Sequence, residues 1–91
     1  MKSIEIKAKQ WVDKNYGNSY FSADVIIDGN EVFKLPFQYG YGNQYEFEAK
    51  AVLTEHNRIS CEYGQSLRRY CLDNNIDYHA EIKTDCKKSE L

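Results

Sequence analysis

Long apolar runs, paired cysteines, a dominant charge sign and recognisable catalytic groupings are all missing from this chain. No apolar stretch approaches the ~20 residues of a membrane span. The opening "MKSIEIKAK" has no apolar core of the kind a signal peptide needs, so the expectation is a cytosolic protein with no membrane contact. The three cysteines, Cys61, Cys71 and Cys86, contain no C-x-x-C pair and form no zinc spacing with His56 or His79. They are expected as free thiols, with Cys61 and Cys71 as small buried hydrophobes and no metal or other cofactor implied. Basic residues number 12 and acidic residues 14, for a net charge of −2. Duplex-binding domains concentrate basic charge, and mimics of the phosphate array need far more negative charge than this. No nucleophile stands beside a base. His79 alternates outward with Asp77 and Glu81, a common solvent-facing strand pattern, so no catalytic residue is assigned and the protein is expected not to be an enzyme.

Proline occurs once and glycine five times in 91 residues, without a linker-like run, repeat or low-complexity tract. Two domains would each be too small for a useful core, so residues 1–91 are read as one domain. Hydrophobic residues at 42% and charged residues at 29% place the chain among ordered globular proteins. What the chain has in excess is tyrosine, eight of 91 residues. Tyrosine combines apolar area with a hydroxyl that must stay wet or find a partner.

Apolar period then assigns elements. Ile4, Ile6 and Ala8 alternate with Glu5, Lys7 and Lys9 over residues 2–12, the signature of a half-buried strand. Phe21, Ala23, Val25 and Ile27 do the same after the turn-rich "DKNYGNS". Asp28-Gly29 is a strong hairpin signal. A third strand, 31–39, is expected to put Phe33, Leu35 and Phe37 on one face. Pro36 cannot donate to a ladder, so this strand is expected to be an edge or to end near there. From Asn43 the period becomes helical: Tyr45, Ala49, Val52, Leu53 and His56 share a face. Asn43 is expected as N-cap, Glu46 as the capping-box carboxylate and as a partner for Lys50, and Asn57 as the stop. Residues 58–66 leave a strand, a loop and an early helix start open. A second helix follows from Ser66, with Leu67, Tyr70 and Cys71 inward. Ile76, Tyr78, Ala80 and Ile82 then form a last inward strand face, and the tail "CKKSEL" is a strand end, a short helical turn or a frayed terminus. The fold class is therefore α+β, in the order β-β-β-α-α-β: a three-stranded antiparallel meander, two helices on one face and a C-terminal strand. The last strand lies beside strand 1 or at the other edge.

Gly40-Tyr41-Gly42 before a helix invites a phosphate-loop reading. A dinucleotide fingerprint needs a third glycine where Tyr45 stands, a P-loop needs Gly-Lys-Ser/Thr, and Glu46 and Glu48 would repel an anion. The glycines are better explained as a tight strand-to-helix corner. Phe33, Phe37 and Tyr45 are assigned to the core. Tyr16, Tyr20, Tyr39 and Tyr41 flank turns and could form an amphipathic aromatic rim for a protein partner. Arg68 and Arg69 could add contacts to a carboxylate or phosphate.

Together, "DKNYGNSYFSADVIIDGNEV", "PFQYGYGNQYEFEA" and "LRRYCLDNNIDYHAEIKTDCKKSEL" resemble a group of small accessory proteins encoded by tailed bacteriophages and prophages. The matching positions are Trp11, Asp13, Lys14 and Gly17 to Tyr20, the Tyr39–Gly42 corner, Tyr70-Cys71, and Lys87, Lys88 and Leu91. The resemblance implies a phage context and the cytoplasm of a bacterial host; it implies no reaction and brings no functional residue with it. The resulting expectation is a non-enzymatic phage-encoded accessory protein that binds a host or defence-system protein, an inhibitor of an anti-phage system such as CRISPR being one case. Its candidate binding residues are Tyr16, Tyr20, Tyr39, Tyr41, Arg68 and Arg69. The alternative is a single-stranded nucleic-acid-binding module using Tyr and Arg, disfavoured by the missing basic stripe. A small enzyme or nucleotide-sequestering protein would need a pocket holding His79 or Arg68. Edge strands and exposed tyrosines leave a homodimer open.

Overall fold

The computed structural model describes residues 1–91. Its strands are β1 (Ser3–Asp13), β2 (Asn18–Ile27), β3 (Glu31–Tyr39) and β4 (Asp77–Lys83), and its helices are α1 (Gln44–Glu55) and α2 (Leu67–Asp73). The element order is the expected one. The sheet order is β3-β2-β1-β4. The first three strands form the antiparallel meander, and β4 pairs parallel to β1, with Ile6 opposite Ala80. That pairing decides between the two edges open to the last strand. The α1–α2 connection carries the chain across one face of the sheet, as a parallel pairing requires.

Alternation explains the core. Ile4, Ile6 and Ala8 of β1 and Phe21, Ala23, Val25 and Ile27 of β2 are buried under the helices, which contribute Tyr45, Ala49, Leu53, Leu67 and Cys71. The other face of the sheet carries neither α1 nor α2. Asp28 and Gly29 both adopt positive φ, 53° and 76°, and the Asn30 N–H donates to the Ile27 carbonyl at 3.1 Å; because Ile27 pairs with Glu31, the hairpin loop is the three residues Asp28, Gly29 and Asn30. The Asp28 carboxylate also accepts the backbone N–H groups of Lys2 (2.6 Å) and Ser3 (3.0 Å). These bonds tie the start of β1 to the turn and hold the carboxyl below its ordinary value.

Several local expectations are corrected. Phe37 is not on the core face. Ala23 pairs with Leu35 but Phe21 pairs with Gln38, so β3 advances three residues while β2 advances two. This bulge at Pro36 reverses the alternation. Phe33 and Leu35 face the helices, whereas Phe37 and Tyr39 face the open side. Asn43 occupies the N-cap position of α1 but its side chain caps nothing. Glu46 closes no capping box and does not pair with Lys50: its carboxylate is taken by Tyr78 and Arg68, while the Lys50 ammonium reaches the Gln65 carbonyl. His56 is exposed at the C-cap and packs its ring against Phe33, 4.9 Å between centroids. Asn57 stops the helix as expected, in the left-handed region at φ 58°. Residues 58–66 form a loop that buries Ile59. Ser66 caps α2, its hydroxyl accepting the Arg69 N–H.

All three cysteines are free, Cys71 and Cys86 buried and Cys61 half-buried. Burial raises the Cys61 thiol and pushes Cys71 up to about 11. Gly42 adopts φ 61°, as a tight corner needs, but Gly40 serves by size: a Cβ there would lie 2.5 Å from the buried Phe21 ring. The tail is the short helical turn among its three alternatives, a 3-10 turn at Lys88–Glu90.

Candidate functional site: the open face of the sheet

The uncovered face can be read in cross-strand rows. One row runs Glu81, Lys7, Asp24, Lys34 across all four strands, and the next places Lys83 opposite Lys9 and Lys9 opposite Ser22. Beyond it Trp11 lies opposite Tyr20, and Tyr20 opposite Tyr39. The bulge adds Phe37 to that last row. The result is an aromatic cluster: Tyr20 stacks on Phe37 (5.1 Å, 8°) and on Trp11 (5.4 Å, 29°), and meets Tyr39 edge-on at 5.8 Å. Phe37 keeps 42% of its surface exposed and Tyr39 59%.

The tail crosses this face. The Cys86 N–H donates to the Gln10 carbonyl at 3.0 Å, extending the edge of β1 past the end of β4. The Glu90 carboxylate accepts the Lys87 N–H (2.7 Å), and the Glu90 carbonyl accepts from the Lys9 ammonium (3.4 Å). Lys88 is thereby held over the cluster, its ammonium 5.5 Å from the Trp11 centroid and 6.0 Å from that of Phe37. Below the cluster a groove of about 810 Å³ opens, lined by Lys7, Lys9, Lys34, Lys83, Phe37 and Glu90 among others.

The six candidate residues divide. Tyr20 and Tyr39 stand in the aromatic cluster. Tyr16, in the β1–β2 turn, and Tyr41, in the corner, are 80% and 68% exposed at the same end of the sheet. Arg68 and Arg69 lie on α2, in the helical layer, and both are engaged. Arg68 pairs with Glu46 at 3.3 Å and sits 4.9 Å over the Tyr78 ring; Arg69 pairs with Asp73 at 3.2 Å. Sequence reasoning missed Trp11, Phe37 and Lys88. Trp11 continues the outward series Glu5, Lys7, Lys9, and that period was the available signal. Phe37 carried none, because the bulge reverses it.

A second cluster of possible ligands lies on β1 and β4. Glu5 is opposite His79, with Glu81 two residues on, and their donor atoms lie within 4.8 Å of one another. His79 Nε2 is 3.7 Å from Glu81 Oε2, and both side chains are more than half exposed. Lys7, opposite Glu81, competes with any cation for that carboxylate. No helix is long and apolar enough to cross a membrane. Comparison with family models, curated proteins and solved structures gives no match for this chain.

Proposed function

We propose that this protein is a non-enzymatic binding protein that takes a protein partner on the open face of its sheet. The observation that carries the reading is the Trp11–Tyr20–Phe37–Tyr39 cluster on the face of the sheet opposite α1 and α2. Large amphipathic rings held rigidly in a sheet lose little entropy on binding and dominate protein hot spots. On the sequence resemblance to small phage-encoded accessory proteins alone, we extend the proposal to a partner in a bacterial host, an anti-phage defence protein such as a CRISPR component being one case.

The nucleic-acid alternative draws on the same rings and on the lysines beside them. Single-strand readers use ring faces that bases can stack on. Here the Tyr20 and Phe37 faces lie against each other, and Lys88 stands over Trp11 and Phe37. The geometry therefore favours a partner that packs on ring edges and on the apolar surface around them.

The test is capture from bacterial lysate by the parent protein and by Tyr20→Ala and Phe37→Ala variants, with α2 substitutions as controls. A partner retained by the parent and by Arg69→Ala, but lost by Phe37→Ala with its folding intact, supports the reading. Equal retention by all four proteins refutes it, as does recovery of nucleic acid alone.

A further inference from the structure

The two edges of the sheet are not alike. β3 ends it on one side, where Pro36 has no N–H to offer and the bulge beside it breaks the alternation, two devices that blunt an edge. β4 ends it on the other side with neither device. Its only strand neighbour is β1. The Asp77 N–H donates to the Lys2 carbonyl at 2.9 Å, so Asp77, His79, Glu81 and Lys83 turn their backbone groups to β1. By alternation Tyr78, Ala80 and Ile82 turn their N–H and C=O groups away from the sheet, and no turn, loop or cap bond reaches them. Ala80 and Ile82 also stay half-buried on the core face, whereas Ile6 and Ala8 opposite them on β1 are buried.

We propose that the β4 edge pairs with the β4 edge of a second copy of this chain, antiparallel and centred on Ala80, joining two sheets into one. Free backbone donors and acceptors select an extended polypeptide as the occupant. The sequence of β4 selects its own copy. About a two-fold axis at Ala80, Tyr78 meets Ile82 of the second copy and Ala80 meets Ala80. These are the residues with outward backbone groups, so each pair exchanges both hydrogen bonds, as an antiparallel ladder requires. On the open face Asp77 meets Lys83 and His79 meets Glu81, each contact made twice by symmetry. The pairing uses all 7 residues of the strand. An axis at His79 instead sets Asp77 against Glu81; an axis at Glu81 sets His79 against Lys83 and Glu81 against itself. Charge alone draws nothing to this edge, since Glu81 already lies 3.7 Å from His79 and Lys83 shares its groove with Glu90. The unpaired backbone supplies the attraction, and the palindromic order of charges fixes the register. The edge is separate from the Trp11 cluster and owes nothing to the protein-partner reading.

Sedimentation equilibrium of the full chain, from about 10 µM to about 1 mM, reads the association. Two paired strand edges bury less than a standard interface, so a reversible dimer is expected to form within that range. Ala80→Pro removes an outward N–H that the β1 ladder does not use, and it is expected to weaken the dimer about tenfold or more. Proline can also disturb the strand itself, so thermal melting accompanies this variant and charge variants carry the test independently. Asp77 and Lys83 are both exposed. Asp77→Lys sets like charges against Lys83 of the second copy, and Lys83→Glu sets them against its Asp77; each is expected to weaken the dimer about threefold or more. The double variant Asp77→Lys/Lys83→Glu restores opposite charges in the same register and is expected to return to within about twofold of the parent. A chain that stays monomeric up to about 1 mM overturns the proposal. So does a dimer that all these variants leave unchanged, or one that Phe37→Ala abolishes and Ala80→Pro retains. A double variant no stronger than either single substitution overturns it as well, because the register is then wrong.

Discussion

Tyr78→Phe deletes one oxygen atom and tests how the last strand is fastened to the helical layer. The Tyr78 hydroxyl donates to Glu46 Oε1 at 2.6 Å, and the Arg68 guanidinium reaches the same oxygen at 3.3 Å. A hydrogen bond to a charged acceptor is worth ~1.5–3 kcal/mol. The Glu46 side chain is only 19% exposed, so water replaces the lost donor poorly, while Arg68 remains to share the charge. The expected loss is ~1–2 kcal/mol, which for a domain of this size lowers Tm by roughly 5–15 °C. A pH arm makes the test sharper. Burial first, then the hydrogen bond that the phenol donates to Glu46 and the charge of that carboxylate, hold the Tyr78 phenol far above its ordinary value. A group whose pKa is raised by folding contributes stability that is complete below the unfolded pKa, ~10 for tyrosine, and that is lost as pH climbs above it. Urea unfolding from about pH 8 to about pH 11 should therefore show a steeper alkaline loss for the parent than for Tyr78→Phe. Equal stabilities at neutral pH, or parallel alkaline limbs, would refute the account of this bond.

Gly40→Ala should cost ~1–3 kcal/mol in chemical denaturation, because the new methyl meets Phe21 and Gln44 at 2.5 and 2.8 Å and Phe21 is itself fully packed; an unchanged midpoint would show that the corner gives way. The Cys71 thiol, buried and raised to about 11, should resist an aromatic disulfide reagent at pH ~8 until the chain unfolds, and rapid labelling of Cys71 in the native protein would contradict that. Asp28→Asn should remove part of the acid sensitivity of the fold. A carboxyl held below its ordinary value stabilises above the unfolded pKa of ~3.9 and ceases to do so as pH falls through the folded value, so the parent should lose more Tm than the variant on acidification, and identical acid limbs would count against the Lys2 and Ser3 contacts.

The fold was legible where one period ran unbroken. Ile4, Ile6 and Ala8, the β2 series, and Ile76 to Ile82 each repeat every second residue, and Tyr45, Ala49 and Leu53 repeat helically; all these elements appear where their periods place them. What failed were features that period does not encode. A bulge adds one residue to one strand, and nothing in "LPFQY" states which partner residue is skipped, so Phe37 changed faces. Asn43 and Glu46 had the right spacing for a capping box, but Tyr78, 32 positions away, offered the Glu46 carboxylate a partly buried donor. Arg68 looked free for the same reason, since its partner Glu46 lies 22 residues away. The binding face suffered in proportion. Tyr20 and Tyr39 were visible as turn-flanking tyrosines, but the ring that joins them to Trp11 is the one the bulge relocates.

That relocation also bears on what the face can bind. With Phe37 on the core side, Tyr20 would present an open ring face beside Trp11, with lysines on the adjacent row, and a single-stranded nucleic acid would find a stacking platform. With Phe37 against Tyr20 at 8°, that ring face is filled. The tail then completes the change by placing Lys88 over Trp11 and Phe37. An exposed cation–π contact is worth only ~0.5–1 kcal/mol, so a partner can displace the lysine at small cost. A base that displaced it would still find Tyr20 and Phe37 stacked on each other. A protein side chain needs no free ring face; it packs against ring edges and against Phe37's exposed flank. The same bulge that hides Phe37 from sequence reasoning therefore tilts the face from base stacking toward apolar packing.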